Sequence, residues 1–276
     1  MIRAAIIGVT GRMGRAIVRA ARGSGEGTGA ASEISIVAGV ASPSSGDLGK
    51  DVGQLAGVGA LGVPVTSDVG AALAQCDVAI DFSNAGATVF NVAAARAVRK
   101  ALVIGTTGFL PDAERAVNDA AGDIAVLVAP NTSLGVTLLI ELVRAAAKAL
   151  PADFDIEITE AHHRHKRDAP SGTALALGSA AAEGRRQELA KVAVSGRSGD
   201  SPRREGEIGF AVTRGGDIVG EHAVLFAGQG ESLTLGHRAT DRAIFARGAL
   251  KAALWLAGRA PGRYSMRDVV GYKTEA

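Results

Sequence analysis

The sequence predicts an α/β fold in two domains: a parallel sheet covered by helices, and a smaller α+β domain with a mixed sheet. The chain's 276 residues exceed the usual length of one domain, and 47% of them are hydrophobic, enough for a substantial core. Only 4% are aromatic while 37 are Gly, a bias that favours helices packed closely on sheets. Apolar runs alternate with helical patterns in the first half and follow one another directly in the second.

Composition also narrows the location and the partners of the chain. Cys76 is the single cysteine, so no intramolecular disulfide forms. The first residues enter a strand pattern without a charged leader, and no run of about 18 apolar residues occurs, so we expect a cytoplasmic protein without a membrane span. The net charge of +2 gives no reason to expect a nucleic-acid partner.

A glycine-rich turn follows the first predicted strand. Ile2 to Ile7 form a short apolar run, and Gly8-Val-Thr-Gly11-Arg-Met-Gly14 leads into a helical pattern that starts at Arg15. This order suits a dinucleotide site, because glycines allow a tight turn and a close approach of the backbone to pyrophosphate. The G-x-x-G-x-x-G spacing is a variant of the usual fingerprint, and a purely structural turn is the alternative.

The second predicted strand, Ile34–Val40, ends without the acidic residue that binds the ribose in an NAD-specific site. Ala41 and Ser42 follow it, the next carboxylate is Asp47, and Arg12 in the glycine turn supplies a cation. This pattern favours a site that tolerates the 2′-phosphate of NADPH.

Two Gly-rich segments are expected at the surface of this domain. Gly23–Ala31 is rich in Gly and Ser and is predicted to be a flexible loop. Gly46–Val63 is also rich in Gly and is predicted to be a surface excursion.

Three more strands continue the parallel sheet, and each is followed by a polar or Gly-rich loop. The strands are expected at Val78–Phe82, Ala101–Ile104 and Ile124–Val128, with helices at Gly86–Arg99 and Pro111–Ala121. The loops are Ser83-Asn84, Gly105–Gly108 and Ala129–Thr132. In an open α/β sheet the ligand crevice lies outside the carboxyl ends of the strands, so we expect the nicotinamide end of a cofactor here. For each loop taken singly, an ordinary turn is the alternative.

A long apolar helix, Ser133–Leu150, precedes the second domain, and we place the boundary near its start. Beyond it, consecutive strand patterns separated by glycine turns predict an antiparallel or mixed sheet; they lie at Lys191–Ser195, Glu207–Thr213, Glu221–Phe226 and Glu231–Gly236. A last amphipathic helix, Arg242–Leu256, carries Trp255, which we expect to pack rather than to stack on a ligand.

The stretch Glu160–Thr173 concentrates the chemistry of the chain, with three of its five histidines. The strand pattern Phe154–Thr159 precedes it, and Pro170 and Ser171 are start signals for a helix. The stretch places cations before that helix start, namely His163, Arg164 and Lys166. We expect the free backbone N–H groups of Ser171, Gly172 and Thr173 to face the same space, which predicts a pocket for a carboxylate or phosphate.

Two other interpretations of this stretch are weaker. Adjacent histidines in an extended strand point to opposite faces, their spacing matches no zinc pattern, and the neighbouring cations Arg164, Lys166 and Arg167 would repel a metal ion. A solvated face or a nucleic-acid patch is the usual meaning of a cationic run, but this one is short and lacks interleaved aromatic residues. We therefore predict no metal site.

Four motifs resemble those of the 4-hydroxy-tetrahydrodipicolinate reductase family, also called dihydrodipicolinate reductases, of the diaminopimelate route to lysine. They are Glu160–Ala174, Gly11–Arg15, Val103–Phe109 and Gly216–His222, and they span the chain. The resemblance implies a Rossmann-type dinucleotide-binding domain over 1–132 with 241–276, and a substrate-binding and tetramerisation domain over 133–240. It also implies hydride transfer from NADPH or NADH to a cyclic dicarboxylic imine.

Carried over position by position, the resemblance implies particular roles for residues. His162 becomes the proton donor and Lys166 the second catalytic residue, while His163, Gly172 and Thr173 bind a small dicarboxylate substrate. The cofactor contacts fall to Gly8, Val9, Thr10, Gly11, Arg12, Met13, Ser42, Gly105, Thr106, Thr107, Ala129, Pro130, Asn131 and Thr132. A homotetramer is implied as well. Ala41 and Ser42 depart from the family, where many members place an acidic residue followed by a basic one.

Two alternative functions remain open at this point. One is a dinucleotide-binding regulator of the same fold without catalysis, although His162 and Lys166 are both present. The other is a semialdehyde dehydrogenase, which needs a nucleophilic cysteine. Cys76 lies far in sequence from the cationic stretch, and we expect it to pack as a small apolar residue.

Overall fold

The computed structural model describes residues 1–23 and 33–272. The chain divides into two compact units, a first unit of Met1–Ser133 with Ala243–Ala276 and a second unit of Leu134–Arg242. The predicted α/β class is confirmed, with a parallel sheet in the first unit and a mixed sheet in the second. Of the segment expected as a flexible loop, Gly23–Ala31, all but Gly23 lies outside the described residues.

Six parallel strands of the first unit precede the second unit in the chain. They are β1 (Ile2–Ile7), β2 (Ile34–Val40), β3 (Val65–Thr66), β4 (Val78–Asp81), β5 (Ala101–Ile104) and β6 (Ala125–Val128). Their order is β6-β5-β4-β1-β2-β3. The strand order therefore reverses between β4 and β1, and in open α/β sheets ligands bind outside the carboxyl ends of the strands at such a point.

Helices cover both faces of this sheet, which explains why its strands are apolar throughout rather than alternating. The helices are α1 (Arg12–Arg22), α2 (Val52–Ala56), α3 (Val69–Ala74), α4 (Thr88–Ala97) and α5 (Pro111–Ala120). Within β1, Ala4 and Ile6 are buried in one core cluster and Ala5 and Ile7 in the other. Helix α1 begins at Arg12, three residues before the start that the sequence pattern indicated.

The expectation that Gly46–Val63 is a surface excursion is wrong for its central part. There the Asp51 carboxylate caps α2, and Val52 and Ala56 of this helix are only 1% and 3% exposed. The carboxylate accepts hydrogen bonds from the backbone N–H groups of Gln54, Leu61, Gly62 and Val63. These hydrogen bonds, first of all that from Gln54, lower the pKa of Asp51 to about 2. A single side chain thus organises a segment whose composition suggests a loop.

The second unit places two long helices on one face of a five-stranded mixed sheet. Its elements are α6 (Leu134–Ala149), β7 (Asp155–His162), α7 (Gly172–Gly184), α8 (Leu189–Val192), β8 (Ala193–Ser195), β9 (Ile208–Arg214), β10 (Gly220–Ala227) and β11 (Ser232–Ala239). The sheet order is β11-β10-β7-β9-β8. β7 pairs in parallel with β9 and antiparallel with β10. The predicted strand at Lys191–Ser195 is wrong in its first half, which belongs to α8.

The chain then returns to the first unit through α9 (Ala243–Leu256), β12 (Gly262–Tyr264) and α10 (Met266–Val269). β12 pairs with β6 and makes the sheet seven-stranded, an element that the sequence pattern did not indicate. Trp255 packs edge-to-face on Tyr264 with the ring centroids 5.3 Å apart, in line with its expected packing role. Within the described ranges, no helix combines the length and apolarity that crossing a bilayer requires.

Candidate active site

The glycine turn between β1 and α1 requires glycine at two positions for steric reasons. Gly8 has φ 81°, and a Cβ there would lie 2.6 Å from the Phe82 carbonyl oxygen. A Cβ on Gly14 would lie 2.3 Å from the Gly8 carbonyl oxygen, so helix and turn pack in direct backbone contact. Gly11 precedes α1, and no side chain of the described residues caps that helix. A helix start of this kind, with uncapped N–H groups, suits a phosphate.

The end of β2 carries no carboxylate, and Asp47 is engaged with cations. Its carboxylate accepts hydrogen bonds from Lys50 Nζ at 2.7 Å and from Arg15 Nη2 at 3.3 Å. The hydrogen bond from Lys50, followed by the charges of both cations, lowers the pKa of Asp47. Ser42 is exposed and shares a hydrogen bond of 2.9 Å with the Ser44 hydroxyl. Arg12 is exposed at the first position of α1.

A buried carboxyl group joins the loops that follow β4 and β5. Asp81 is fully buried and accepts the Ser83 N–H at 2.8 Å and the Asn91 amide at 2.9 Å. Burial raises the pKa of Asp81, against the hydrogen bonds from Ser83 and Asn91. Gly105 follows β5, and a Cβ there would enter the Phe82 ring. Sequence reasoning missed Asp81 and Asn91, because neither the strand nor the helix pattern marks a polar residue that is buried.

The predicted cofactor residues all lie at the carboxyl edge of the parallel sheet or directly after it, but they differ in exposure. Val9, Ala129 and Thr132 are each 2% exposed. The Thr132 hydroxyl donates to the Phe245 carbonyl at 2.7 Å, so this side chain ties its loop to α9. The exposed or half-buried positions are Gly8, Thr10, Gly11, Arg12, Met13, Ser42, Thr107, Pro130 and Asn131, while Gly105 and Thr106 are buried.

In the second unit, the alternation of β7 places Glu160 and His162 on the buried face of the sheet. These residues continue the series of Ile156 and Ile158, which belong to the core under α6 and α7. His162 Nδ1 lies 2.6 Å from Glu160 Oε2. The strand was expected to end at Thr159, but it continues to His162, and this extension brings the two side chains onto one face.

Glu160 is the centre of a buried hydrogen-bond network. Arg214, at the end of β9, donates to both carboxylate oxygens at 2.7 and 2.8 Å. The Ser171 N–H donates to Oε1 at 2.9 Å. Burial alone would raise the pKa of Glu160, but the hydrogen bonds from Arg214, His162 and Ser171 outweigh it and the pKa is lowered. The expectation that the Ser171 N–H is free for an external anion is therefore wrong.

His222, on β10, completes the surroundings of His162. The two imidazole centroids are 5.0 Å apart in an edge-to-face arrangement, and His222 Nε2 shares a hydrogen bond of 3.0 Å with the Ser171 hydroxyl. Burial, followed by the charge of His162, lowers the pKa of His222 to about 4, so this imidazole is neutral at pH 7. A Cβ on Gly220 would lie 3.0 Å from His162 Nε2, which explains a glycine at the start of β10.

The predicted anion donors lie in the turn after β7 and at the start of α7. Lys166 Nζ donates to the Asp168 carboxylate at 2.9 Å. This hydrogen bond lowers the pKa of Asp168, and the Gly172 N–H contributes in the same direction. Thr173 is half-buried in the first turn of α7. A carboxylate of the chain itself thus contacts Lys166 and Gly172, two of the groups that were expected to hold an external one.

His163 begins the turn, and its carbonyl accepts the Lys166 N–H at 3.1 Å. Desolvation lowers the pKa of His163, and the charge of Arg242 is the next cause. The Arg164 N–H donates to the Gly216 carbonyl at 3.2 Å, so the loop between β9 and β10 fixes the turn. Among residues 1–23 and 33–272, no group of three or more His, Cys, Asp or Glu residues could hold a metal ion.

Sequence reasoning assigned no role to Glu160, Arg214 or His222, although two of them lie within quoted motifs. A period-two pattern extended to His162 would have indicated that Glu160 is buried. Arg214 carried no such signal, because it reaches Glu160 only through the pairing of β7 with β9.

Comparison with known proteins agrees with this geometry. The family model for the N-terminus of dihydrodipicolinate reductase matches residues 2–132, and the model for its C-terminus matches residues 135–270. The chain belongs to the dihydrodipicolinate reductase family. It is 51% identical over 270 residues to a 4-hydroxy-tetrahydrodipicolinate reductase of Alkalilimnicola ehrlichii, with 98% of each chain covered. The corresponding protein of Nitrosomonas europaea is 46% identical, again with 98% of each chain covered.

Solved structures show the same fold. A dipicolinate-bound dihydrodipicolinate reductase from Paenisporosarcina sp. TG-14 matches with a TM-score of 0.74 at 24% identity, covering 96% of this chain and 97% of that one. An aspartate semialdehyde dehydrogenase from Vibrio cholerae matches with a TM-score of 0.54 at 12% identity, covering 93% and 97%. In this dihydrodipicolinate reductase family member, Cys76 is fully buried in the core and burial raises its pKa. This thiol is therefore unsuited to the role of a nucleophile.

Proposed function

We propose that the protein catalyses the NAD(P)H-dependent reduction of 4-hydroxy-tetrahydrodipicolinate to tetrahydrodipicolinate, with His162 as the proton donor. The carrying observation is the 2.6 Å contact between the buried His162 imidazole and Glu160 in a chain of this family. An imidazole that a carboxylate holds in one orientation is suited to general acid catalysis.

The first unit would hold the nicotinamide cofactor, which supplies the hydride when bound. The glycine turn fits its pyrophosphate, because α1 starts without a side-chain cap and Gly11 at its N-cap position carries no side chain. We propose NADPH as a cofactor at least as good as NADH. No carboxylate occupies Ala41 or Ser42, Asp47 is engaged with Lys50 and Arg15, and Arg12 lies exposed at the start of α1.

The second unit would bind the substrate and supply the proton. Reduction of a conjugated imine leaves a nitrogen or carbon that must take up a proton, and His162 would deliver it. Lys166 and the Gly172 N–H would hold one substrate carboxylate after Asp168 leaves them, with His163 and Thr173 as further contacts. Charge-assisted hydrogen bonds of this kind are about twice as strong as neutral ones.

We also propose a homotetramer assembled through the mixed sheet, and a cytoplasmic location consistent with the single reduced Cys76. The sheet face opposite the core carries Thr159, Ala223 and Leu225 together with the carboxylates of Glu157 and Glu221. Among the described residues, β8 and β11 end the sheet and leave edges that a partner would cover.

A coupled assay tests the activity directly. Aspartate semialdehyde, pyruvate and the preceding synthase generate the substrate in the cuvette, and the fall of NADPH absorbance reports reduction after the purified protein is added. A fall that depends on all four components supports the proposal. An NADPH signal that stays constant while the synthase is shown to consume pyruvate contradicts it.

A further inference from the structure

The His162 imidazole is in contact with one charged group and enclosed by two neutral ones. Glu160 Oε2 lies 2.6 Å from Nδ1, the neutral His222 ring lies edge-to-face at 5.0 Å, and Gly220 leaves room beside Nε2. His162 is 9% exposed. The carboxylate is therefore hydrogen-bonded to Nδ1, and Nε2 is the ring nitrogen that remains available for proton transfer.

We propose that Glu160, held by Arg214, is a positioning residue that sets the orientation and tautomer of His162. The inference rests on the proposed role of His162 as the proton donor. An ionised carboxylate accepts hydrogen bonds and donates none, so Nδ1 carries a proton in both charge states of the ring. Nε2 then delivers its proton to the substrate and is left with a lone pair, while the Nδ1–H bond to Glu160 persists. The next proton enters at Nε2 from solvent.

The contacts of Glu160 keep it ionised and immobile. Arg214 binds both carboxylate oxygens, and the same guanidinium donates to the Asp168 carbonyl at 2.6 Å, which fixes its plane. The Ser171 N–H adds a third donor from the start of α7. Glu160 is 4% exposed, and Arg214 and the Ser171 N–H both donate hydrogen bonds to its carboxylate.

Stability alone does not account for this ion pair. A buried carboxylate–guanidinium pair is often no more stabilising than apolar side chains of the same size, because both charges lose their hydration. Its presence on the strand face that carries His162 is explained by an effect on the imidazole, since a carboxylate fixes the ring plane and favours the imidazolium from which Nε2 donates.

The other titratable groups near His162 would act differently. His222 is neutral at pH 7, and Arg214 is neutralised by Glu160. His163 and Lys166 lie in the following turn and could add only positive charge. Glu160 is thus the anion in contact with this ring. Removing its charge is expected to make the imidazolium form of His162 less favourable.

Glu160→Gln tests the inference in the full-length enzyme, because it retains the size of the side chain and removes the charge. We expect kcat to fall on the order of 10–10²-fold, less than the full worth of a general acid, while the Kd of pyridine-2,6-dicarboxylate changes little. The alkaline limb of the kcat profile should move to lower pH, a change that a loss of folded protein would not produce. An unshifted profile would overturn the inference.

Glu141→Gln is the matched control. Glu141 is 3% exposed in the same unit and pairs with Arg144 at 2.6 Å, but this pair lies on α6. It should lose stability to a similar degree without a shift of the pH profile. If Glu141→Gln moved the alkaline limb equally, Glu160 would have no special relation to the acid.

A double-mutant cycle with His162→Gln separates failure of the inference from failure of the proposed role of His162. If Glu160 acts through His162, adding Glu160→Gln to His162→Gln should lower kcat no further. Additive losses would overturn the positioning role, and an unimpaired His162→Gln enzyme would overturn the role of His162 itself. If Glu160→Gln does not fold, ¹⁵N NMR of histidine-labelled native enzyme decides: at alkaline pH the His162 proton should be on Nδ1, and a proton on Nε2 contradicts the inference.

Discussion

The glycine turn of the first unit and the histidine turn of the second are the two proposed anion sites, and they are built in different ways. Before α1 the groups are backbone N–H donors. Glycine is required at positions 8 and 14, because backbone atoms occupy the space that a Cβ would need. After β7 the proposed groups are the Lys166 side chain and the Gly172 N–H, and Glu160 contacts His162 from within the same strand. The first arrangement depends on the sequence neighbours Gly8 and Val9 at Gly14 and on the Phe82 carbonyl after β4 at Gly8, whereas the second depends on strand pairing with β9 and β10.

This difference predicts which functions a substitution in each region can affect separately. A defect in the glycine turn should affect folding and cofactor affinity together, because the same backbone serves both. A defect in the histidine turn should separate catalysis from binding, because different side chains have different roles. The following predictions test that contrast, from the largest expected effect to the smallest.

His162→Gln should lower kcat by roughly 10²–10⁴-fold, the usual contribution of a positioned general acid, with a smaller change in KM. Steady-state kinetics in the coupled assay measures both constants. His165→Gln is the control in the same turn, since His165 is exposed. A His162→Gln enzyme that loses substrate affinity and keeps kcat would assign this residue to binding.

Gly14→Ala should destabilise the protein by about 3 kcal/mol, at the upper end of overpacking costs, and raise KM for NADPH. The added Cβ would lie 2.3 Å from the Gly8 carbonyl oxygen and 2.6 Å from Val9 Cα. Urea denaturation and cofactor titration measure the two effects. Gly46→Ala is the control, because nothing lies within 4 Å of its Cβ position. Unchanged affinity for NADPH would show that the turn is structural only.

Lys166→Ala should weaken binding of pyridine-2,6-dicarboxylate by about 1.5–3 kcal/mol, the worth of a charge-assisted hydrogen bond. Calorimetric titration in the presence of NADPH measures the affinity. Lys191→Ala removes an exposed lysine that pairs with Glu188 at 2.8 Å and should change nothing. Equal affinity of the Lys166 variant and the parent would place the anion site elsewhere.

His222 should make the free energy of unfolding depend on pH. Its pKa is lowered from 6.5 to about 4. Between these two pH values the unfolded chain therefore binds a proton at His222 that the folded chain does not bind. The contribution of His222 to stability is thus fully present above about pH 6.5 and falls by about 3 kcal/mol toward pH 4. Urea denaturation at pH 7 and pH 4.5 should show a smaller difference for His222→Gln than for the parent. An identical difference would mean that other groups cause it.

The sequence placed Lys166 and Gly172 close together, and their role in binding an anion stays a prediction, but it did not indicate the internal partners of this stretch. The run of cations directly before a helix start predicts that Lys166 and the Gly172 N–H lie close together, because only a short turn separates the two residues. The Ser171 N–H was misassigned for the opposite reason: its acceptor is Glu160, 11 residues away across the turn. The same reasoning missed α2, where Asp51 holds Leu61, 10 residues further along the chain.

The amino-acid sequence by itself determined the α/β class, the glycine turn after β1 and the boundaries of β1, β2 and β5, because these depend on local spacing and on continuous apolar runs. Only the tertiary structure decided which groups surround His162 and where β12 joins the sheet. Glu160, Arg214 and His222 come from three strands whose register follows from burial of the whole core. A side chain whose partner lies on another strand leaves no periodic trace, so folding, not spacing, brings the network together.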